Sequence, residues 1–137
     1  MNHLKALHES ASRNVYTFDE PNPALLESIP SPARKEQGLI LFIEVPEFTS
    51  LCPITGQPDF AKIQIRYCPR DLLVESKSLK LYLMGYRNHG AFHEQVCCTI
   101  HEHLWDLLDP LELTVVGLFT PRGGIPFHPT VTRVAED

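Results

Sequence analysis

From Gly38 onward the apolar residues come in short bursts whose period changes twice. "LILFIEVPEF", residues 39 to 48, is a near-continuous apolar run of strand length and predicts a strand largely buried on both faces. The turn "PITGQP" follows. Then "AKIQIRY", 61 to 67, alternates strictly, with Ala61, Ile63, Ile65 and Tyr67 on one face and Lys62, Gln64 and Arg66 on the other. The two runs predict an antiparallel hairpin. The period then becomes helical. "SKSLKLYLMGYRN", 76 to 88, opens with Ser76 at a plausible N-cap. "GAFHEQVCCTIHEHLWDLLD", 90 to 109, carries Phe92, Val96, Ile100, Leu104 and Leu108 on one stripe. "LELTVVGLFTP" and "FHPTVTRV" predict two closing strands around "RGGIP". The order strand, strand, helix, helix, strand, strand predicts an α+β fold, one four-stranded antiparallel sheet with two helices on one face. Its outer strands leave open edges, which pairing with neighbouring subunits would cover, so an oligomer is expected.

The 137 residues are enough for one domain. Residues 1 to 37 are polar and hold four prolines within twelve positions (Pro21, Pro23, Pro30, Pro32), which predicts an arm or extended lead-in to a single domain at 38–137. The composition, 43% hydrophobic and 21% charged, is that of a globular protein. A formal net charge of −5 argues against broad adhesion to nucleic acid, which needs a basic face. No apolar run approaches the roughly 20 residues of a membrane span, and "MNHLKALHESASRN" lacks the apolar stretch of a secretory signal. The cysteines, at 52, 68, 97 and 98, form no C-x-x-C pair and make a poor disulfide framework, so a reduced, cytoplasmic protein is expected.

Three groups of residues carry candidate chemistry. Pro53 stiffens the chain just past Cys52, and the "TGQP" turn returns it so that Asp59 begins the next strand near the thiol. A fixed thiol facing a carboxylate suits covalent catalysis with acid assistance; the alternative is a small buried cysteine and a turn aspartate. An anion beside a thiol raises its pKa, so the pair requires a protonated Asp59, a nearby cation or a helix N-terminus. His93 and Glu94 open the second helix, where a buried carboxylate could accept two hydrogen bonds from an amide-and-amine edge such as that of guanine; alternatively both are ordinary first-turn residues. His89, His93, Cys97 and His101 recur every fourth residue, so three of them on a continuous helix could line a zinc site, or a polar helix face.

"ESKSLKLYL", 75 to 83, resembles the signature of the NADPH-dependent 7-cyano-7-deazaguanine reductases, the nitrile reductases of queuosine biosynthesis, matching it from Glu75 through Tyr82. "SLCPITGQPD", 50 to 59, resembles the family's nucleophile loop, "NHGAFHE", 88 to 94, its substrate-recognition segment, and "PRGG", 121 to 124, also fits. The length resembles the short, single-module branch.

The resemblance implies the tunnelling fold, with subunits joined into a β-barrel ring and active sites at their interfaces. It implies that Cys52 adds to the nitrile of 7-cyano-7-deazaguanine to give a thioimide. Asp59 would act as acid and His93 would assist, while Glu94, with Glu75 and Ser76, would hold the base. Lys77, Lys80 and Arg122 would meet the phosphates of NADPH, of which two are used per turnover. It implies no metal and no direct tRNA binding. A Cys52 disulfide to Cys97 or Cys98 would protect the nucleophile. A zinc-dependent pterin or purine cyclohydrolase-like enzyme and a non-catalytic purine-binding module are the competing readings.

Overall fold

The strict alternation of residues 58–68 decides which side of the sheet becomes the core. The computed structural model describes residues 17–136. In it β2 (Leu41–Leu51), β3 (Pro58–Cys68), β5 (Glu112–Phe119) and β6 (Thr130–Val134) form one antiparallel sheet in the order β2-β3-β5-β6. The helices α1 (Ser76–Met84) and α2 (His93–Leu108) lie between its two halves in sequence. Two three-residue strands, β1 (Ser28–Pro30) and β4 (Leu72–Val74), pair antiparallel as a second small sheet. The protein is therefore α+β, with antiparallel sheets and two helices.

Asp59, Ala61, Ile63, Ile65 and Tyr67 of β3 point inward and are buried, while Phe60, Lys62 and Arg66 point outward and are exposed. Leu113, Val115 and Phe119 of β5 continue the inward face. Against it pack Leu79 and Tyr82 of α1 and Val96, Cys97, Ile100, Leu104 and Leu108 of α2, in a single apolar cluster. The outward face is dressed by the pairs Lys62–Glu44 and Arg66–Glu112, 3.6 and 3.5 Å apart and half exposed, which contribute little to stability.

Four sequence expectations change. The run at 39–48 is buried on one face only: Phe42 is 58% exposed because the sheet's outward side has no covering layer in one chain. A bulge between Val45 and Phe48 takes up Pro46, which could not donate to the ladder. Helix α1 is capped by Glu75, not Ser76. The Glu75 carboxylate accepts from the Ser78 and Lys77 amides at 2.7 and 3.0 Å, one oxygen to each, which a single serine hydroxyl would not match. The helix also stops at Met84, four residues early, and residues 85–88 form turns. Helix α2 starts at His93, three residues inside the predicted segment 90–109, with Phe92 at its N-cap and Gln95 accepting from the Phe92 amide at 2.9 Å.

The described part of the lead-in, 17–37, is bonded to the body at several points. Phe18 accepts from the Asn88 amide at 2.6 Å, Glu27 accepts from the Glu75 amide at 2.9 Å, and Leu26 is buried. Gly85 allows this: a Cβ there would come within 2.6 Å of the Glu20 carbonyl oxygen. The arm expected for residues 1–16 lies outside the described residues. Among the described residues no helix is long and apolar enough to cross a membrane.

Gly117 marks the closest approach of α2 to the sheet. A Cβ there would sit 2.6 Å from the Cys97 sulfur and 2.7 Å from the Phe119 ring. Gly117→Ala should therefore lower the unfolding free energy by about 1–3 kcal/mol, an overpacking cost, read as a reduced denaturation midpoint in urea. An unchanged midpoint would show that helix and sheet can separate without strain.

Candidate active site

Chain reversal between β2 and β3 fixes the first half of the site. Ser50 pairs in register with Asp59, so the last residues of one strand face the first of the next. Cys52 donates its N–H to the Gln57 carbonyl at 2.9 Å and accepts from the Gly56 N–H at 3.0 Å, closing a tight turn. Gly56 adopts φ 72°, which a side chain would oppose. The turn aims the Ile54 and Thr55 amides back at the Cys52 sulfur.

Residues 89–91 are bound to the same strand end. The Leu51 N–H donates to the His89 carbonyl and Leu51 accepts from the Ala91 N–H, both at 3.1 Å. Gly90 passes close to Pro53, where a Cβ would sit 3.2 Å from its Cα. Helix α2 therefore begins directly beside Cys52, and His93 enters the site on its first turn. The imidazole is stacked on Phe119, with centroids 3.9 Å apart and planes 6° from parallel, and Phe127 meets it edge-on.

Asp59, 5% exposed, is held from two sides. Its Oδ1 accepts a short hydrogen bond from Arg122 Nη2, and its Oδ2 lies 3.4 Å from His93 Nε2. Arg122 shares the cavity with Cys52, and its own pKa is raised by the Cys52 sulfur first and by Asp59. The cation that the Cys52–Asp59 pairing calls for is thus supplied by Arg122. The thiol is held at about 6, far below its ordinary value, by the Thr55 hydroxyl first, then the Thr55 amide, Arg122 and the Ile54 amide, against a small opposing effect of burial.

Cys52, Asp59, His93, Glu94 and Arg122 line one cavity of about 260 Å³, with Pro53, Ala91, Phe92, Ile125 and Phe127. Glu94 is exposed at its mouth, not buried, because it lies on the outward side of the first turn of α2. Glu75 is engaged in capping α1, and Ser76 and Lys80 line a separate groove of about 350 Å³ with Arg87 and Glu47. Lys77 is exposed on α1. Within one chain Arg122 therefore stands apart from both lysines.

The four-residue His/Cys recurrence does not form one helical stripe, since His89 precedes the helix and Cys97 and His101 are turned into the core. His101 Nε2 lies 3.0 Å from the Leu113 carbonyl and so donates to it. Among the described residues no three His, Cys, Asp or Glu side chains gather where they could hold a metal ion. All four cysteines are free. Cys97 is fully buried against Gly117, with its thiol pushed up to about 12 by burial, while Cys98 is exposed, and neither lines the Cys52 cavity.

A family model described as "QueF-like protein" matches residues 58–137. An NADPH-dependent 7-cyano-7-deazaguanine reductase of Streptococcus thermophilus is 57% identical over 126 residues, covering 92% of this chain and 77% of that protein. The chain belongs to the QueF-like family. A protein of the same description from Helicobacter pylori is 53% identical over 134 residues, covering 98% of this chain and 88% of its own length. The crystal structure of the archaeosine synthase QueF-Like in the apo form matches with a TM-score of 0.65 over 71% of this chain and 95% of that one. At 18% identity it shows a shared fold alone. Three members of the site of this QueF-like chain were not singled out from sequence: Thr55 and Phe119 entirely, and Arg122 as the partner of Asp59 and Cys52. Thr55 and Arg122 sat inside quoted motifs that could have pointed to them, and Phe119 did not.

The thiolate is the reactive form, so alkylation of Cys52 should rise with pH, pass half its plateau at about 6 and level off only well above that. Peptide-resolved iodoacetamide labelling across pH measures this, with exposed Cys98 as the internal comparison. A Cys52 midpoint at the ordinary thiol value would overturn the electrostatic account of the site.

Proposed function

We propose that the chain is an NADPH-dependent 7-cyano-7-deazaguanine reductase of queuosine biosynthesis, and that Cys52 carries the nitrile as a covalent thioimide. Family membership supports the activity. The observation that supports the mechanism is the convergence of a low-pKa Cys52, Asp59 and His93 on one small cavity. Its volume suits a single bicyclic base, and its apolar lining with a few polar groups is what such a ligand requires.

The Cys52 thiolate adds to the nitrile carbon, forming the C–S bond, while the nitrile nitrogen takes a proton from Asp59. Asp59 must therefore carry a proton when the substrate binds, and that proton is taken up from solvent, since the thiolate has none to give. His93 Nε2, 3.4 Å from Asp59 Oδ2 and held flat by Phe119, keeps the acid oriented and recharges it. NADPH supplies the hydrides, two per turnover, and four electrons move in total. After the carbon has become tetrahedral Cys52 departs as thiolate, which its low pKa favours. Glu94 accepts the N1–H and exocyclic amine of the base; a ligand without these donors leaves the carboxylate unpaired and is rejected.

Lys77, Lys80 and Arg122 are the residues for the cofactor phosphates. An orphaned donor supports Arg122 in this part: its buried Nε has no hydrogen-bond partner among the described residues. Because the lysines, Glu75 and Ser76 lie away from the Cys52 cavity, they would act on the site of a neighbouring subunit. Subunits of tunnelling fold joined edge to edge in a β-barrel ring would bring them there. The exposed rim of Ile54, Phe92, Ile125 and Phe127 supports an interface at the site. Residues 38–137 form the catalytic unit and the lead-in straps α1. The acidic net charge supports a cytoplasmic enzyme that handles the free base and does not bind tRNA.

Anaerobic titration of reduced protein with 7-cyano-7-deazaguanine, NADPH omitted, tests the mechanism. The expected outcome is one stoichiometric mass increment with a new near-ultraviolet band, both missing in Cys52→Ala. Glu94→Gln should weaken ligand binding by about 2–4 kcal/mol, the scale for disturbing a charge-assisted pair, with the adduct restored at saturating ligand. An adduct on Cys52→Ala would rule Cys52 out as the nucleophile.

A further inference from the structure

The guanidinium of Arg122 is only half used where it meets Asp59. Nε and Nη2 lie along one edge of the planar group, the edge that a carboxylate or phosphate can take with two oxygens at once. Here Nη2 donates to Asp59 Oδ1, while the buried Nε has no hydrogen-bond partner among the described residues. The second oxygen of Asp59 is turned to His93 instead, with Oδ2 3.4 Å from Nε2. The pair is therefore one-armed with a donor left over. An anion that reaches both Nε and Nη2 competes with Asp59 for the same nitrogen.

Asp59 has a conflict of its own. As an acid it has to hold a proton, yet one oxygen accepts from Arg122 and the other faces His93, the acceptor pattern of a carboxylate. Turning the guanidinium away removes the counter-charge from a group that is 5% exposed, and a buried carboxyl without that partner favours its neutral form. The other titratable groups on the cavity are Cys52, from the turn after β2, and His93 and Glu94, from the first turn of α2. Of these only His93 can be cationic; a Cys52 thiolate and the Glu94 carboxylate favour the neutral acid further. The Arg122 backbone is pinned by hydrogen bonds with Ile125 at 3.4 and 3.0 Å, and its side chain is 36% exposed, so the exchange needs the side chain alone to turn.

We propose that Arg122 couples cofactor binding to protonation of the acid: it gives its Nε–Nη2 edge to a cofactor phosphate, and the released Asp59 takes up one proton from solvent. The guanidinium stays cationic throughout and exchanges one anionic partner for another, so the only proton that moves passes from water to the carboxylate. Without cofactor the neutral acid is the minor form, and Cys52 adds to the nitrile more slowly but still to completion. The coupling rests on the proposed reductase reading, which supplies the phosphates.

The experiment is calorimetric titration of the full chain with NADP⁺, which has no hydride to give, in three buffers of different ionisation enthalpy at about pH 7. The dependence of the measured heat on the buffer gives the protons exchanged per cofactor bound. The expected result is uptake of about half a proton or more in the parent, against a small release from the cofactor's own phosphate, and no uptake in Asp59→Asn. In the parent, saturating NADP⁺ should also speed the appearance of the near-ultraviolet band with 7-cyano-7-deazaguanine several-fold. NADP⁺ binding without proton uptake overturns the proposal, as does uptake that persists in Asp59→Asn, which would place the proton on another group, or a band that appears no faster. Failure of NADP⁺ to bind at all would strike the reductase reading itself, and the coupling with it.

Discussion

A carboxylate at the end of an apolar strand face has to be answered by donors, and the site is built around that requirement. Asp59 continues the inward row of Ala61, Ile63, Ile65 and Tyr67, so the pleat that makes the core also buries the carboxylate to 5% exposure. Its two oxygens are met by Arg122, from the segment after β5, and by His93, from the first turn of α2. Three parts of the chain distant in sequence are thereby brought to one point. The Arg122 that answers Asp59 also shares the cavity with Cys52, so the need created by burial produces the cation that a thiolate beside a carboxylate requires.

The core and the site share one boundary. Cys97 packs into the space left by Gly117, Phe119 stands two residues further along β5, and its ring is the surface on which His93 lies. The helix whose apolar side fills the core therefore places His93 through a single aromatic stack. On the other side, the bonds from Leu51 to His89 and Ala91 tie the strand that leads to Cys52 to the approach to the same helix.

The alternation of residues 61–67, the element order and the Cys52–Asp59 juxtaposition were all legible in the sequence, because each is fixed by short-range period and by one turn. What failed depended on what covers a surface. Phe42 is apolar yet exposed, and no sequence period reveals that the outer face of the sheet has no covering layer within one chain. Ser76 has the residue type of an N-cap, but Glu75 takes the amides because its longer carboxylate reaches two at once. The pairing of β1 with β4 joins residues more than forty apart through three-residue strands too short to show a period. Thr55, Phe119 and the inward turn of Arg122 were missed for a related reason: their roles are contacts made across the fold, and their residue types are ordinary in loops and strands.

The two walls of the cavity differ in how firmly the chain holds them. Cys52, Asp59 and His93 are fixed by turn bonds, burial and stacking, whereas Phe92, Ile125 and Phe127 of the same lining stand 48%, 62% and 50% exposed. An apolar wall left half in water is unfavourable for a chain on its own. The capping of α1 by Glu75 and the separate groove at Lys80 place the remaining signature residues on a different face of the same chain. Under the proposed function, the Cys52 cavity and the signature helix would serve one ligand if two chains contributed, one face from each. In that arrangement covering the exposed apolar rim and completing the site would be the same event, so assembly and activity would be acquired together.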